Sequence, residues 1–311
     1  MDTSAPVKAV DVLIVGGGLC GVLAAHRCDE NSLSYCLIER QSDFGGVWAS
    51  LANEHSHLQA FEAMYRWHGK YPLGPKPLAK ISGPAVLQTL RRFARDTDLY
   101  KNTFMNSSVL SIDFFEQTDR FVINIQDKSG REFSVHSIYL IVTPGILADQ
   151  HTLQERGICH EDAFTGCITF AGQYRGADSA AGSSSVYGKV VVVLGTGAFA
   201  CEAMEACLRR GAKHVYLLSR ERTRWVLPFS RQFTTTFVTY IPFLPWRWKM
   251  ALLKTYLSSF YKSAGLLHMM PTGDKMDYTG QCNDAFFQLS KKKAVTFILD
   301  APVGLSSEYG L

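Results

Sequence analysis

The chain has no pair of cysteines at C-x-x-C spacing, although it contains eight cysteines. That excludes a dithiol redox motif and the usual cysteine set of a structural zinc site. It has no excess of one charge. Its 32 Lys and Arg against 28 Asp and Glu leave a formal +4, too little to mark a nucleic-acid-binding surface. Met1 to Lys8 carry no apolar core of the secretory-signal kind. The Asn106-Ser107-Ser108 sequon is therefore read as chance, and the thiols as reduced in a cytoplasmic compartment. No uninterrupted apolar run can span a bilayer, because Pro242 and Pro245 break the richest stretch, 232–270. His55, His57 and His68 lie close in sequence, but no cysteine or carboxylate cluster completes a metal site. No acid–base dyad stands out either. What remains is 47% apolar and 19% charged, the make-up of a globular protein, at a length of 311 residues that admits two domains.

Within that frame one stretch is informative. Val12 to Val15 form a short apolar run, as in a strand buried on both faces. Gly16, Gly18 and Gly21 follow at G-x-G-x-x-G spacing, and Leu19, Val22, Leu23 and His26 then fall at helical spacing. The reading is strand, tight turn, helix. The first glycine permits the turn, the second admits a pyrophosphate, and the third lets helix and strand approach. The helix N-terminus offers N–H groups and partial positive charge to phosphate. A second run, Ser34 to Ile38, ends in Glu39, an acid placed to bind ribose hydroxyls. Together these predict a dinucleotide site.

Glu39-Arg40 is followed by Phe44-Gly45-Gly46-Val47-Trp48. Glu39-Arg40 with Gly-Gly-x-Trp resembles the FAD half of the flavin-containing and Baeyer–Villiger monooxygenases. The resemblance implies that Gly16, Gly18 and Gly21 hold the FAD pyrophosphate and Glu39 the adenosine ribose. It places Gly46, Val47 and Trp48 near the flavin and Val109 against the adenine, and Arg40 counts among the cofactor contacts. It also brings the 53–74 region toward flavin and NADP⁺, which makes Asn53 and Gln59 active-site candidates.

Ser82-Gly83-Pro84 starts a helix whose buried face is Val86, Leu90, Phe93 and Ala94, with Arg91, Arg92 and Arg95 on a solvated face. Arg120 to Gln126 and Arg131 to Val135 read as a hairpin around Asp127-Lys128-Ser129-Gly130. Ile138 to Val142 is a further strand, ending in Thr143-Pro144-Gly145 where the family shows Ala-Thr-Gly; Pro144 has no N–H to donate.

A second strand–turn–helix is equally clear: Lys189 to Leu194, then Gly195-Thr196-Gly197-Ala198-Phe199-Ala200 as G-x-G-x-x-A, then a helix to about Arg210. The next strand, His214 to Leu218, ends in Ser219-Arg220, with Arg224 nearby, and not in an acid. Arginine at this tip suits a 2′-phosphate, hence NADPH. Gly195, Thr196, Gly197, Ala200, Ser219, Arg220 and Arg224 are its predicted contacts. Phe170-Ala171-Gly172 resembles the start of the family fingerprint F-x-G-x-x-x-H, but its histidine position holds Gly176. The aromatic stretch 237–262 reads as a helical insertion packing on the second domain, or as an interfacial membrane helix.

The expected fold is α/β, with two Rossmann-like domains, the second inserted in the first. Residues 1–150 and a return segment 281–311 form the FAD domain. Residues 151–280 form the NADPH domain, with the insertion at about 232–270. The family continues beyond this point, so the resemblance implies a partner or a longer isoform that completes the FAD domain. The implied activity is hydride transfer from NADPH to FAD. O₂ is then captured as a C4a-(hydro)peroxyflavin, and oxygen is transferred to a small nitrogen, sulfur or carbonyl compound. Gly176 opens an alternative, a flavin reductase or oxidase. The early end and Pro144 open another, a nucleotide-binding form without turnover.

Overall fold

The structure is a computed structural model. It describes residues 8–145, 163–170, 186–219, 226–271, 281–291 and 294–299, with Leu153, Glu155 and Ile158. The chain divides into two α/β units. One comprises Met1–Ser50, Trp67–Leu73 and Pro84–Gln150; the other comprises Leu51–Arg66, Gly74–Gly83 and His151–Leu311.

In the first unit, β1 (Lys8–Val15), α1 (Leu19–Glu30) and β2 (Tyr35–Ile38) are followed by the short α2 (Val47–Ser50). After α3 (Glu62–Tyr65), which belongs to the second unit, come α4 (Gly83–Asp96), β3 (Thr103–Phe104), β4 (Ser107–Phe115), β5 (Arg120–Asp127) and β6 (Glu132–Val142). They form one sheet of order β3-β2-β1-β6-β5-β4. The β3-β2-β1-β6 part is parallel and the β6-β5-β4 part antiparallel. The apolar run of β1 is explained by two cores. Val12 and Ile14 pack with Val22, Leu90 and Phe93, while Leu13 packs with Cys36, Ile123 and Val135. Both faces of the strand are dry, so alternation is absent.

Two expectations change here. The second hairpin arm and the strand 138–142 are one continuous strand, β6. It pairs with β1 from Lys8↔Val135 to Val15↔Val142, which leaves no place for a break. Arg91 is not simply solvated: its Nε lies 2.9 Å from Asp43 Oδ2 and donates to Phe44 O at 2.9 Å. It thereby braces the segment that carries Gly45 and Gly46.

The second unit contains β7 (Val190–Leu194), α5 (Ala198–Arg209), β8 (His214–Ser219), β9 (Val226–Leu227), α6 (Gln232–Tyr240) and α7 (Trp246–Ser263). It ends, among the described residues, with β10 (Gln281–Cys282), α8 (Asp284–Ser290) and β11 (Val295–Leu299). Its main sheet is parallel, of order β11-β8-β7, and β9 pairs with β10. The core gathers Cys201, Met204, Leu217, Leu257, Phe286 and Phe297.

The described part of 281–311 therefore does not return to the first domain. Val295–Leu299 extends the second sheet beside β8, and Phe297 meets Phe286 with ring centroids 4.8 Å apart. Asn283 caps α8 by accepting from Phe286 N–H at 2.9 Å. Val295 and Phe297 alternate into this core, and that burial decides which sheet the strand joins. Leu51–Arg66 and Gly74–Gly83, expected within the first domain, likewise group with the second unit.

Candidate functional site

The first turn is built by exclusion of side chains. Gly16 adopts φ +102°, which L side chains resist, and a Cβ there would lie 2.4 Å from Thr143 O. A Cβ on Gly21 would lie 1.8 Å from Gly16 O. Helix α1 can approach β1 only because that position is bare. Gly18 is the N-cap of α1, and no acidic residue stands in the first helical turn to compete for an anion. A Cβ on Gly46, itself at φ +51°, would lie 2.8 Å from Gly18 Cα. The Gly-Gly loop thus sits against the fingerprint backbone.

Glu39 closes the turn. It is buried, and its Oε2 accepts Gly17 N–H at 2.5 Å while its Oε1 accepts Gln41 N–H at 2.7 Å. Both carboxylate oxygens are oriented by backbone, and each retains acceptor capacity. The main chain of Glu39 is itself tied down, accepting Ser107 N–H at 3.0 Å and donating to Phe104 O at 2.9 Å. That brings the start of β4, with half-buried Val109, to the same end of the sheet. Arg40 is exposed, Val47 is 37% exposed and Trp48 is half-buried.

Thr143 holds the other side. Its N–H donates to Val15 O at 2.8 Å, and its hydroxyl lies 2.8 Å from Val15 O and 3.1 Å from Gly16 O. Pro144 next to it has no N–H to give, and the anchoring falls to Thr143.

The second turn repeats the plan with more room. Gly195 adopts φ +101° and donates to Leu218 O at 2.7 Å. Gly197 is the N-cap of α5, and a Cβ on it would meet nothing within 4 Å. Ala200 stands where the first turn has Gly21, and its Cβ is 4.0 Å from where Gly195 would carry one. Thr196 Oγ1 and Ser219 Oγ are 3.4 Å apart, and Ser219 is buried at the end of β8. Arg220, Arg224 and Gly176 lie outside the described residues.

Asn53 and Gln59 belong to the second unit. Asn53 is buried, and its Oδ1 accepts His55 N–H at 2.8 Å in a local turn. Gln59 donates to His57 O at 3.4 Å. Their segment is fastened by a residue that inspection of the sequence passed over, Glu202 on α5. Its carboxylate accepts from Ser56 Oγ at 2.5 Å and lies 3.4 Å from His57 N. Burial pushes the Glu202 carboxyl up to about 7; the two hydrogen bonds and Lys80 pull the other way. His57 is held below its ordinary value by burial and by Lys80. The available signal was a pair of acids, Glu202 and Glu205, on a helix whose neighbours Cys201 and Met204 are core residues. Cys201 is inert by the same logic, since burial pushes its thiol up.

Known proteins fit this geometry. Residues 14–75 match the model of the "NAD(P)-binding Rossmann-like domain". The chain is 25% identical over 215 residues to the "FAD-containing monooxygenase EthA" of Mycolicibacterium smegmatis, covering 68% of this chain and 42% of that protein. It is 26% identical over 226 residues to the "Baeyer-Villiger monooxygenase ATR8" of Stachybotrys chlorohalonatus, covering 69% of this chain and 34% of that protein. Over these stretches the chain is similar to FAD-containing and Baeyer–Villiger monooxygenases. It spans about two fifths of the length of the EthA protein it matches. An oxidized steroid monooxygenase bound to NADP shares the fold of this chain, with TM-score 0.76 at 15% identity over 98% of this chain and 68% of that chain. The OTEMO complex with FAD and NADP gives TM-score 0.76 at 16% identity over 97% of this chain and 68% of that chain.

Proposed function

We propose that this chain is the nucleotide-binding part of an NADPH-dependent FAD monooxygenase acting on a small nitrogen, sulfur or carbonyl compound with O₂. The observation that carries the reading is the pair of strand–turn–helix cradles. Each opens on a glycine near φ +100°, one ending in a backbone-oriented acid and the other in a serine. The first cradle fits FAD. Its side-chain-free face at Gly18 and Gly46 admits a diphosphate, the N-terminus of α1 offers N–H groups to it, and Glu39 accepts ribose hydroxyls. Arg40, Val47, Trp48 and Val109 complete that contact set. The second cradle fits NADPH through Gly195, Thr196, Gly197, Ala200 and Ser219, with Arg220 and Arg224 pairing a 2′-phosphate.

Bound FAD supplies the redox and oxygen chemistry. The protein's own residues bind, orient and exclude water. Asn53 and Gln59 are proposed to act near the reacting atoms from the segment that Glu202 holds.

The test is the visible spectrum of the purified protein during anaerobic addition of NADPH, followed by O₂ and a panel of sulfides, amines and ketones. Flavin that bleaches with NADPH, followed by oxygenated product, supports the reading. NADPH oxidation independent of both O₂ and substrate overturns it. One observation favours a second reading: Gly176 replaces the fingerprint histidine. A reductase or oxidase would then yield H₂O₂ in place of oxygenated product, and a peroxide assay in the same experiment separates the two.

A further inference from the structure

The α6–α7 hairpin faces two ways. Met250, Leu253, Leu257 and Tyr261 fall on one stripe of α7 and are buried. The Tyr261 hydroxyl accepts Val226 N–H at 2.9 Å and donates to Val226 O at 3.2 Å, which fixes the helix to the second unit. The insertion therefore packs on that unit. Its other side does not pack. Phe233, Phe237 and Tyr240, at i, i+4 and i+7 on α6, are 58%, 62% and 78% exposed. Phe243, between the helices, is fully exposed and holds φ +63°, an unfavourable setting for a bulky residue. Trp248 and Leu252, on the side of α7 opposite its buried stripe, are exposed as well.

The charge on this stretch has one sign. From Phe229 to Met270 five residues are Lys or Arg and none is Asp or Glu. At the chain's own average, about four acids would fall in 42 residues. Arg247 sits exposed between Trp246 and Trp248, and Lys262 ends the outward stripe that Trp248 and Leu252 begin. Arg231 precedes the first turn of α6, and its guanidinium lies 5.6 Å from the centre of the Phe260 ring. Aromatic side chains beside cations, with acids excluded, complement the interface of an anionic bilayer. Pro242 and Pro245 separate the two helices, and among the described residues no helix is long and apolar enough to cross a membrane.

We propose that the outward face of the α6–α7 hairpin docks on an anionic phospholipid surface. Phe237, Phe243 and Trp248 enter the headgroup boundary, and Arg247 and Lys262 pair with lipid phosphates. The hairpin lies on the membrane without spanning it. This inference is independent of the monooxygenase reading.

The test uses the whole chain with phosphatidylcholine vesicles containing about one phosphatidylglycerol in four, against pure phosphatidylcholine vesicles. Flotation is expected to recover the protein with the anionic vesicles and at least about tenfold less with the neutral ones, with recovery falling as salt rises. The triple variant F237S/F243S/W248S should lose binding while keeping the parent thermal midpoint. Should that variant not fold, R247E/K262E supplies the comparison: it leaves the apolar face intact and should also weaken anionic binding about tenfold or more. No recovery with anionic vesicles overturns the proposal, as does equal recovery with neutral ones or binding indifferent to both variants. Self-association that the aromatic substitutions abolish, without vesicle binding, would also overturn it and assign the face to a second copy.

Discussion

The two glycine turns share a spacing and a backbone but not a tolerance. At Gly21 a single added carbon would collide with Gly16 O at 1.8 Å, whereas Ala200 at the corresponding place already carries that carbon in comfort. At Gly18 and Gly46 two backbone segments touch, whereas around Gly197 there is open space. The first turn is closed by Glu39 against Gly17; the second ends in Ser219, 3.4 Å from Thr196. The same motif therefore does two jobs. In the first unit Gly16 and Gly21 are demanded by the fold itself. In the second, the turn needs Gly195, while a Cβ on Gly197 would meet nothing within 4 Å.

This contrast can be broken most directly with single carbons. Gly21→Ala is expected to cost about 3 kcal/mol or more, because the Gly16 backbone it would meet cannot yield, and to lower the thermal midpoint sharply. Gly197→Ala, at the helix N-cap where nothing lies within 4 Å, should leave the midpoint nearly unchanged and weaken NADPH binding measured by titration. Equal losses of stability in the two variants would end the distinction.

The next effect separates the units by pH. Glu202 in the native protein holds its proton more tightly than the ordinary carboxyl value of 4.5, with its midpoint near 7. Its contribution is whole below about pH 4.5 and is lost as the pH rises through about 7, amounting to ~3 kcal/mol at most. The stability of the second unit should therefore fall between pH 5 and 8, and Glu202→Gln should flatten that dependence. A slope that persists in the variant would assign it to another group.

A smaller loss is expected at Glu39. Glu39→Gln keeps one acceptor oxygen and gives up one charge-assisted bond, to Gly17 or to Gln41, a loss of about 2 kcal/mol. FAD affinity should fall with it, read by flavin fluorescence on dilution. Smallest is Arg91→Ala. Its pair with Asp43 is partly exposed, so about 1 kcal/mol or less is expected in chemical denaturation, with Gly45–Gly46 loosened more than the unit as a whole.

Much of this was legible in the chain. The apolar runs, the glycine spacings and the acid that ends β2 are local patterns, and local patterns follow from backbone sterics and burial period. The buried face of α4 and the two strand–turn–helix units were readable for that reason. Glu202 was not, because an acid in a helix reads as solvated until the partner that desolvates it is known. Arg91 was misplaced on a solvated face for the same reason. The described part of 281–311 was assigned to the wrong sheet because β11 carries an apolar pattern that any parallel sheet would accept.

The sequence by itself determined that two dinucleotide-type turns exist, where they lie and which glycines they need. Those are properties of a few consecutive residues whose φ angles and side-chain volumes decide the outcome alone. Only the tertiary structure decided which sheet β11 joins, that Leu51–Arg66 is grouped with the second unit, and that the α6–α7 aromatics are divided between a buried stripe and an exposed one. Each of these is a contest between alternative burials of similar apolar surface, and such contests are settled by what the rest of the chain leaves uncovered.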